Sequence, residues 1–399
     1  MDANLAGMPQ GKELTLAREC RGDIERAGAV AEQEFRVPSS LIQKLNSHGL
    51  FAMTVPEKFG GGQKPALESL RVIEEISYAD SAVGWCGMIY STTAVLGSFL
   101  SERWGQTVYG AQRLGDTYLS PITAGAAAPS GRGERVDGGV RVSGRWAWGS
   151  GSHHCDWICG GTLVSQGDDI LRFENGEPQV HVMFFHKDQV KLHDNWNPSG
   201  LRGTGSVDFE VTEQFVPEGR WTVLGSSRRQ IDSPLYRFPF FGFFAAAVAS
   251  VPLGIARRAV DDFYDLACGT GPVNKTSSIR ESSITQLEFG QAEAMVEAAR
   301  RYLQDVVAQV WDKLVAGESI SVADRRHLRL AASQATVMSA AAVDKLYNAA
   351  GGAALQGHCP LQKHFRDIHT ATQHRMVSPE VLRMAGAARL SEKAVSYQL

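Results

Sequence analysis

Residues 138–157 read GGVRVSGRWAWGSGSHHCDW, and the organisation of the whole chain can be worked outward from them. After a Gly-Gly turn, Val140, Val142, Gly144, Trp146 and Trp148 fall on one face and Arg141, Ser143, Arg145 and Ala147 on the other. Alternation of this length predicts a half-buried β-strand. Two indoles, then Gly149-Ser150-Gly151-Ser152 and His153-His154, set broad aromatic surface beside small residues and hydroxyls. Such a surface suits a flat heteroaromatic ligand, because glycines let backbone approach closely and a serine offers one directed hydrogen bond. The same pattern also describes a sandwich strand whose tryptophans are core. This stretch alone does not separate the two.

At 399 residues the chain is longer than one compact core usually holds, so two or three structural regions are expected. Its composition, 43% hydrophobic and 21% charged, is that of an ordinary soluble globular protein. A net charge of -3 leaves no basic footprint for nucleic acid. No basic segment followed by an apolar stretch opens the chain, so no secretory signal is expected. Cys20, Cys86, Cys155, Cys159, Cys268 and Cys359 lack framework spacing, which fits reduced thiols and a cytoplasmic location. His153-His154-Cys155 with Cys159 lacks the second ligand pair of usual zinc spacings, so no metal is expected.

Three textures follow one another along the chain. Residues 1–116 read as a helical domain: one helix over 12–34, another after Pro38-Ser39-Ser40, and two more over 66–79 and 82–100. The last of these is apolar nearly all round and therefore buried. Residues 117–222 alternate valines, glycines and aromatics between turn clusters, a small β domain. Residues 223–399 return to helices. The apolar run 238–256, FPFFGFFAAAVASVPLGIA, barely reaches the ~20 residues of a membrane span and is interrupted by Pro and Gly, so a buried helix is expected. Long helices over 286–315 and 328–350, with small side chains facing one another, predict a bundle core shared between subunits.

The overall order resembles the acyl-CoA dehydrogenase superfamily, and three separated motifs carry the resemblance: GRWAWGSG at 144–151, GLRGTGSVDFEV with FVPEGR at 200–220, and AAGG…PLQKHFRDIHTATQH at 349–374. It implies an α+β fold with an N-terminal helical domain, a central small β-barrel or sandwich domain and a C-terminal four-helix-bundle domain. Fold does not settle chemistry. Counting from Arg366-Asp367, the dehydrogenase glutamate would fall at Met376, and its less common position at Phe244. Neither side chain accepts a proton, and a general base must reach the proton it removes. The pattern is closer to the two-component flavin monooxygenases of the superfamily, such as the oxygenase components of 4-hydroxyphenylacetate and hydroxysteroid-phenol hydroxylases.

What that resemblance implies is specific. The chain would be a homotetramer taking reduced flavin (FMNH2 or FADH2) from a separate NAD(P)H-dependent reductase. No Gly-x-Gly-x-x-Gly unit for a nicotinamide nucleotide occurs in this chain. Together with O2 the flavin would form a C4a-hydroperoxide that hydroxylates an apolar aromatic or polycyclic small molecule. His374, whose ordinary pKa lies near neutrality, and Ser150 are the implied catalytic residues. Trp148, Ser150, Arg280, Gly351, Gly352 and Arg366 would hold the cofactor, while Tyr90, Phe240, Phe241, Phe244 and Met376 would line the substrate pocket, with Phe238 and Phe243 in core or wall. The rivals are an acyl-CoA dehydrogenase with a displaced base, an N- or S-oxygenase of the same family, and a flavin-free binding protein that kept the fold.

Overall fold

The computed structural model describes residues 11–114, 117–226, 228–269, 278–390, 396 and 398–399. Six helices come first: α1 (Lys12–Glu19), α2 (Arg21–Glu34), α3 (Ser39–Ser47), α4 (Ala66–Ala79), α5 (Ser81–Ala94) and α6 (Glu102–Tyr109). The single helix expected over 12–34 is two, broken at Cys20. All of α5 is buried, as its uniformly apolar sequence requires, and the Asp80 carboxylate caps it by accepting from the amides of Ala82 (2.9 Å) and Val83 (3.0 Å).

Ten strands follow: β1 (Gln112–Leu114), β2 (Thr117–Leu119), β3 (Thr123–Val136), β4 (Gly139–Gly149), β5 (Trp157–Gln166), β6 (Asp169–Ile170), β7 (Val180–His186), β8 (Lys191–His193), β9 (Val207–Pro217) and β10 (Trp221–Val223). β1 and β2 pair alone, and the main sheet runs β10-β7-β5-β3-β4-β9-β8 with β6 on β5. Only β3 and β5 lie parallel among these pairs. Trp146 of β4 is fully buried and stacks on Phe209 of β9, centroids 5.0 Å apart and planes 12° apart. Its indole needs three glycines: a Cβ on Gly131, Gly160 or Gly144 would sit 2.4, 2.6 or 2.8 Å from the ring. Part of the glycine-rich texture of the β domain is thus the space one tryptophan occupies.

The helices return as α7 (Pro234–Arg237), α8 (Phe240–Ala267), α9 (Ser278–Glu281), α10 (Ser283–Val315), α11 (Val322–Ala350), α12 (Pro360–Ala371) and α13 (Pro379–Leu390). α8 is long and apolar enough to cross a membrane, yet 78% of its most apolar window is buried inside the protein. It packs on α4 at Gly254, where a Cβ would meet the Glu74 carbonyl oxygen at 2.5 Å. The Glu74 carboxylate accepts from Arg257 of α8 (2.8 Å) and Arg300 of α10 (2.7 Å), so one buried anion ties three helices together.

Candidate functional site

Where β4 ends, a bulge between Trp146 and Gly149 shifts the register against β9. The chain turns tightly there, the Ser150 amide donating back to the Trp148 carbonyl at 2.9 Å. Trp148 takes a left-handed φ of 63° and stands 74% exposed. The bulge breaks the alternation, and this corrects the expectation that Trp146 and Trp148 share a face: Trp146 is core, and Trp148 stands on the outside. A non-glycine residue in that conformation carries strain, which makes it a marker of a built feature.

Ser150 is 4% exposed and sits in a chain of hydroxyls. Trp85 of α5 donates its indole N–H to Ser150 Oγ (3.0 Å), Ser150 pairs with Ser206 (2.7 Å), and Ser206 with Thr204 (2.6 Å). Thr204 donates to the Leu201 carbonyl (2.9 Å). A hydroxyl has one proton, so that last bond sets the direction of all the others. Thr204 must accept from Ser206, and Ser206 from Ser150. Ser150 therefore has its proton committed and presents a lone pair to any ligand. The loop bearing Thr204 and Ser206 is held by Asp367 of α12, which accepts from the Leu201 amide (2.6 Å), from Ser81 Oγ (2.5 Å) and from Lys363 Nζ (2.7 Å). Burial alone would raise the Asp367 pKa, but the Lys363 charge and these donors bring it below the ordinary value. Lys363 also pairs with the α5 cap Asp80 at 3.2 Å.

Past the end of α12, His374 caps the 3-10 turn Arg375–Val377, its Nδ1 accepting from the Met376 amide at 3.2 Å. That bond leaves the proton on Nε2 in the neutral ring. The imidazole packs edge-on against Trp85 (5.6 Å) and Phe244 (5.4 Å). Burial first, and the Arg329 charge second, push its pKa down to about 4. This corrects the expectation that His374 titrates near neutrality: at pH 7 it is a neutral N–H donor. Phe244 continues through Phe240 (6.1 Å) to Phe241 (5.4 Å), all partly exposed, whereas Phe238 and Phe243 are buried core. Met376 is buried behind His374. Among the described residues no carboxylate hydrogen-bonds or ion-pairs with His374, Arg329, Trp85 or Ser150.

The structure thus brings together Trp148, Ser150, Phe240, Phe244, His374 and Met376. Other expected site residues lie elsewhere. Tyr90 is buried under the turn and donates its hydroxyl to the Gly151 carbonyl (3.1 Å), so it props the turn up rather than lining a pocket. Arg366 is not free for a cofactor: its guanidinium pairs with Glu32 (2.9 Å) and donates to the Ser199 carbonyl (2.6 Å), clamping α12 to α2 and the β domain. Arg280 is exposed on the short α9. Gly351 and Gly352 are exposed, with open space where a Cβ would stand. Sequence reading missed Trp85, Thr204, Ser206 and Arg329. Trp85 was hidden in an apolar helix, and the two hydroxyls lay inside GLRGTGS. Arg329 was detectable as a charge at a buried position of α11, 2% exposed between Leu328 and Ala331.

A flat heteroaromatic cofactor fits this place. An outward indole in a strained conformation supplies a face, and Ser150 beside it supplies a directed acceptor. Two family models match the chain: acyl-CoA dehydrogenase, N-terminal domain over residues 15–125, and acyl-CoA dehydrogenase, C-terminal domain over residues 246–379. The chain is similar to an indole-3-acetate monooxygenase of Acinetobacter baumannii, 28% identical with 94% of each chain covered. It is equally similar, at 28%, to the flavin-dependent monooxygenase oxygenase subunit HsaA of Rhodococcus jostii, covering 86% of this chain and 89% of that one. Among solved structures, 3-HSA hydroxylase from Rhodococcus sp. RHA1 superposes with a TM-score of 0.88 at 24% identity, covering 98% of this chain and 100% of that one.

Proposed function

This chain belongs to the acyl-CoA dehydrogenase superfamily and is the oxygenase component of a flavin-dependent monooxygenase, and we propose that it hydroxylates an apolar aromatic or polycyclic small molecule. Its cofactor is reduced flavin, used with O2, and a separate flavin reductase supplies it. We further propose that this reductase draws on NAD(P)H, that the oxygenase is a homotetramer, and that it works in the cytoplasm. Exposed Tyr264, Ile284, Leu287 and Val315 on α8 and α10 support assembly, and six free thiols support a reducing compartment.

When bound, the reduced flavin activates O2 and makes one of its oxygen atoms electrophilic. The chain's own residues do the rest. Trp148 gives the cofactor ring a face to pack on, and Ser150 accepts from a ring N–H. Since oxidation removes the N–H at flavin N5, a committed Ser150 proton favours the reduced form. Phe240 and Phe244 keep water from the reacting oxygen. His374, neutral with its proton on Nε2, donates a hydrogen bond to that oxygen without releasing a proton to bulk.

The observation that carries this reading is the composition of the cluster around His374, where Phe244 packs on the imidazole and the Met376 amide donates to it, the two positions to which the resemblance would assign a dehydrogenase glutamate. Anaerobic loading with reduced FMN, followed by 18O2 and an indole or phenol test substrate, should place one labelled oxygen in the product. His374→Ala should couple far less oxygen to product. Bleaching of oxidised holoprotein by an acyl-CoA ester, with no label transferred, would establish the dehydrogenase instead.

A further inference from the structure

Among the described residues two arginines are buried by surface area, Arg220 at 7% and Arg329 at 2% exposed, and neither has a carboxylate partner there. Arg220 is compensated in another way. It lies between the rings of Trp104 (5.2 Å) and Trp157 (5.7 Å), whose negative faces receive its charge. Among the described residues Arg329 has no such ring. Its Nη1 donates to the Phe241 carbonyl (3.0 Å) and touches Met376 Sδ (4.0 Å), while its Nε is buried with no partner. A guanidinium carries five N–H donors, so most of its capacity is unspent. One turn along the same face of α11, Ser333 is fully buried and its hydroxyl also has no partner. Thr336 shows what a helical hydroxyl does by default, bonding back to the Ala332 carbonyl at 3.0 Å. Ser333 does not.

A buried charge left uncompensated is costly, and evolution keeps such groups for a ligand or a partner. A partner subunit cannot supply the counter-charge, because Arg329 is almost wholly enclosed by its own chain. Arg329 touches Met376, whose amide donates to His374, and the imidazole packs on Phe244 and through it on Phe240, so the arginine closes the inner end of that aromatic cluster. We propose that Arg329 with Ser333 forms the anion-binding end of the substrate site, and that the aromatic substrate carries a carboxylate. The inference rests on the oxygenase reading and narrows its substrate class. A planar carboxylate matches the guanidinium fork in a bidentate pair, with the hydroxyl as a further donor. The aromatic ring then lies against Phe244 and His374, towards the cofactor. A bound carboxylate also offsets the Arg329 charge that His374 feels, so substrate and imidazole are electrostatically linked.

The test is calorimetric binding to FMN-loaded full-length protein at pH 7.5. Three acids are each paired with the neutral primary amide of the same skeleton: indole-3-acetate, phenylacetate and 2-naphthoate. The proposal expects at least one acid to bind ~10-fold or more tighter than its amide, the strength of a charge-assisted pair out of water. Arg329→Met should remove that preference, and Ser333→Ala should cut it about three-fold. No acid preferred over its amide, including no binding by any acid, overturns the proposal, as does a preference that survives Arg329→Met. Should Arg329→Met fail to fold by circular dichroism, Ser333→Ala decides, and an undiminished preference there overturns it. Label transfer from 18O2, run in parallel on each of the three acids and on neutral indole, reads the oxygenase assignment separately. Transfer without an acid preference sinks the anion site alone. An acid preference without transfer keeps the anion site and sinks the oxygenase reading.

Discussion

Replacing His374 with asparagine tests the neutral-donor assignment through stability rather than turnover. Asparagine can accept the Met376 amide through its side-chain carbonyl, as His374 Nδ1 does, so the cap survives while the titration is removed. The folded protein holds His374 near a pKa of about 4, against an ordinary value of 6.5. The unfolded chain therefore binds the proton first as pH falls. The associated stability is whole above pH ~6.5 and is lost progressively down to the folded value of about 4. At 1.36 kcal/mol for each pH unit, the gap amounts to about 3 kcal/mol, of which about 2.5 is gone by pH 4.5. Urea unfolding of wild type and His374→Asn at pH 7.5 and pH 4.5 measures the difference directly. The wild type should lose about 2.5 kcal/mol more than the variant on acidification. His154 and His181 are pushed down to about 4 as well, by burial, and since both proteins keep them their contribution cancels. Parallel pH dependences, or an imidazole that titrates near 6.5 by NMR in the folded protein, would refute a neutral His374 at working pH.

Three further outcomes follow from the geometry. Lys363→Met strands Asp80 and Asp367 without their cation, and should cost about 3–5 kcal/mol in a urea melt; a loss under 1 kcal/mol would mean the trio is not the clamp described. Trp148→Asn replaces an exposed indole at φ 63° with a residue that tolerates that backbone. Thermal stability should hold or rise slightly while reduced-flavin affinity falls ~10-fold by equilibrium dialysis. Ser206→Ala frees the Ser150 proton, so the preference for reduced over oxidised flavin, read as the midpoint potential of the bound cofactor, should narrow by ~10-fold in affinity ratio; an unchanged potential would contradict the direction assigned to the hydroxyl chain.

Much of this molecule is readable from its residues because the relevant signals are local. The apolar run of α5 and the alternation through Trp146 each speak for one element. The motif around Ser150 and His374 could be matched in order without knowing where either side chain points. Reading failed where a residue's environment is assembled from distant segments. Arg366 looked like a cofactor ligand until Glu32 and Ser199, from two other regions, were found on it. Tyr90 looked like a pocket residue until the Gly151 turn was found over it. Trp148 was assigned to the wrong face by a single-residue bulge, since one inserted residue reverses every later side chain.

The linear order of residue types by itself determined the three-part α+β plan, the buried α8, and the absence of a carboxylate at Phe244 and Met376, the two positions that the resemblance assigns to a dehydrogenase glutamate. Those are properties of periodicity and identity, carried by the chain before it folds. Only the tertiary structure decided that His374 is neutral, that Ser150 presents a lone pair, and that Arg329 is a charge without a counter-charge. Protonation, hydrogen-bond direction and charge compensation depend on what packing removes from water and sets beside each group, and those neighbours lie tens to hundreds of residues apart in sequence.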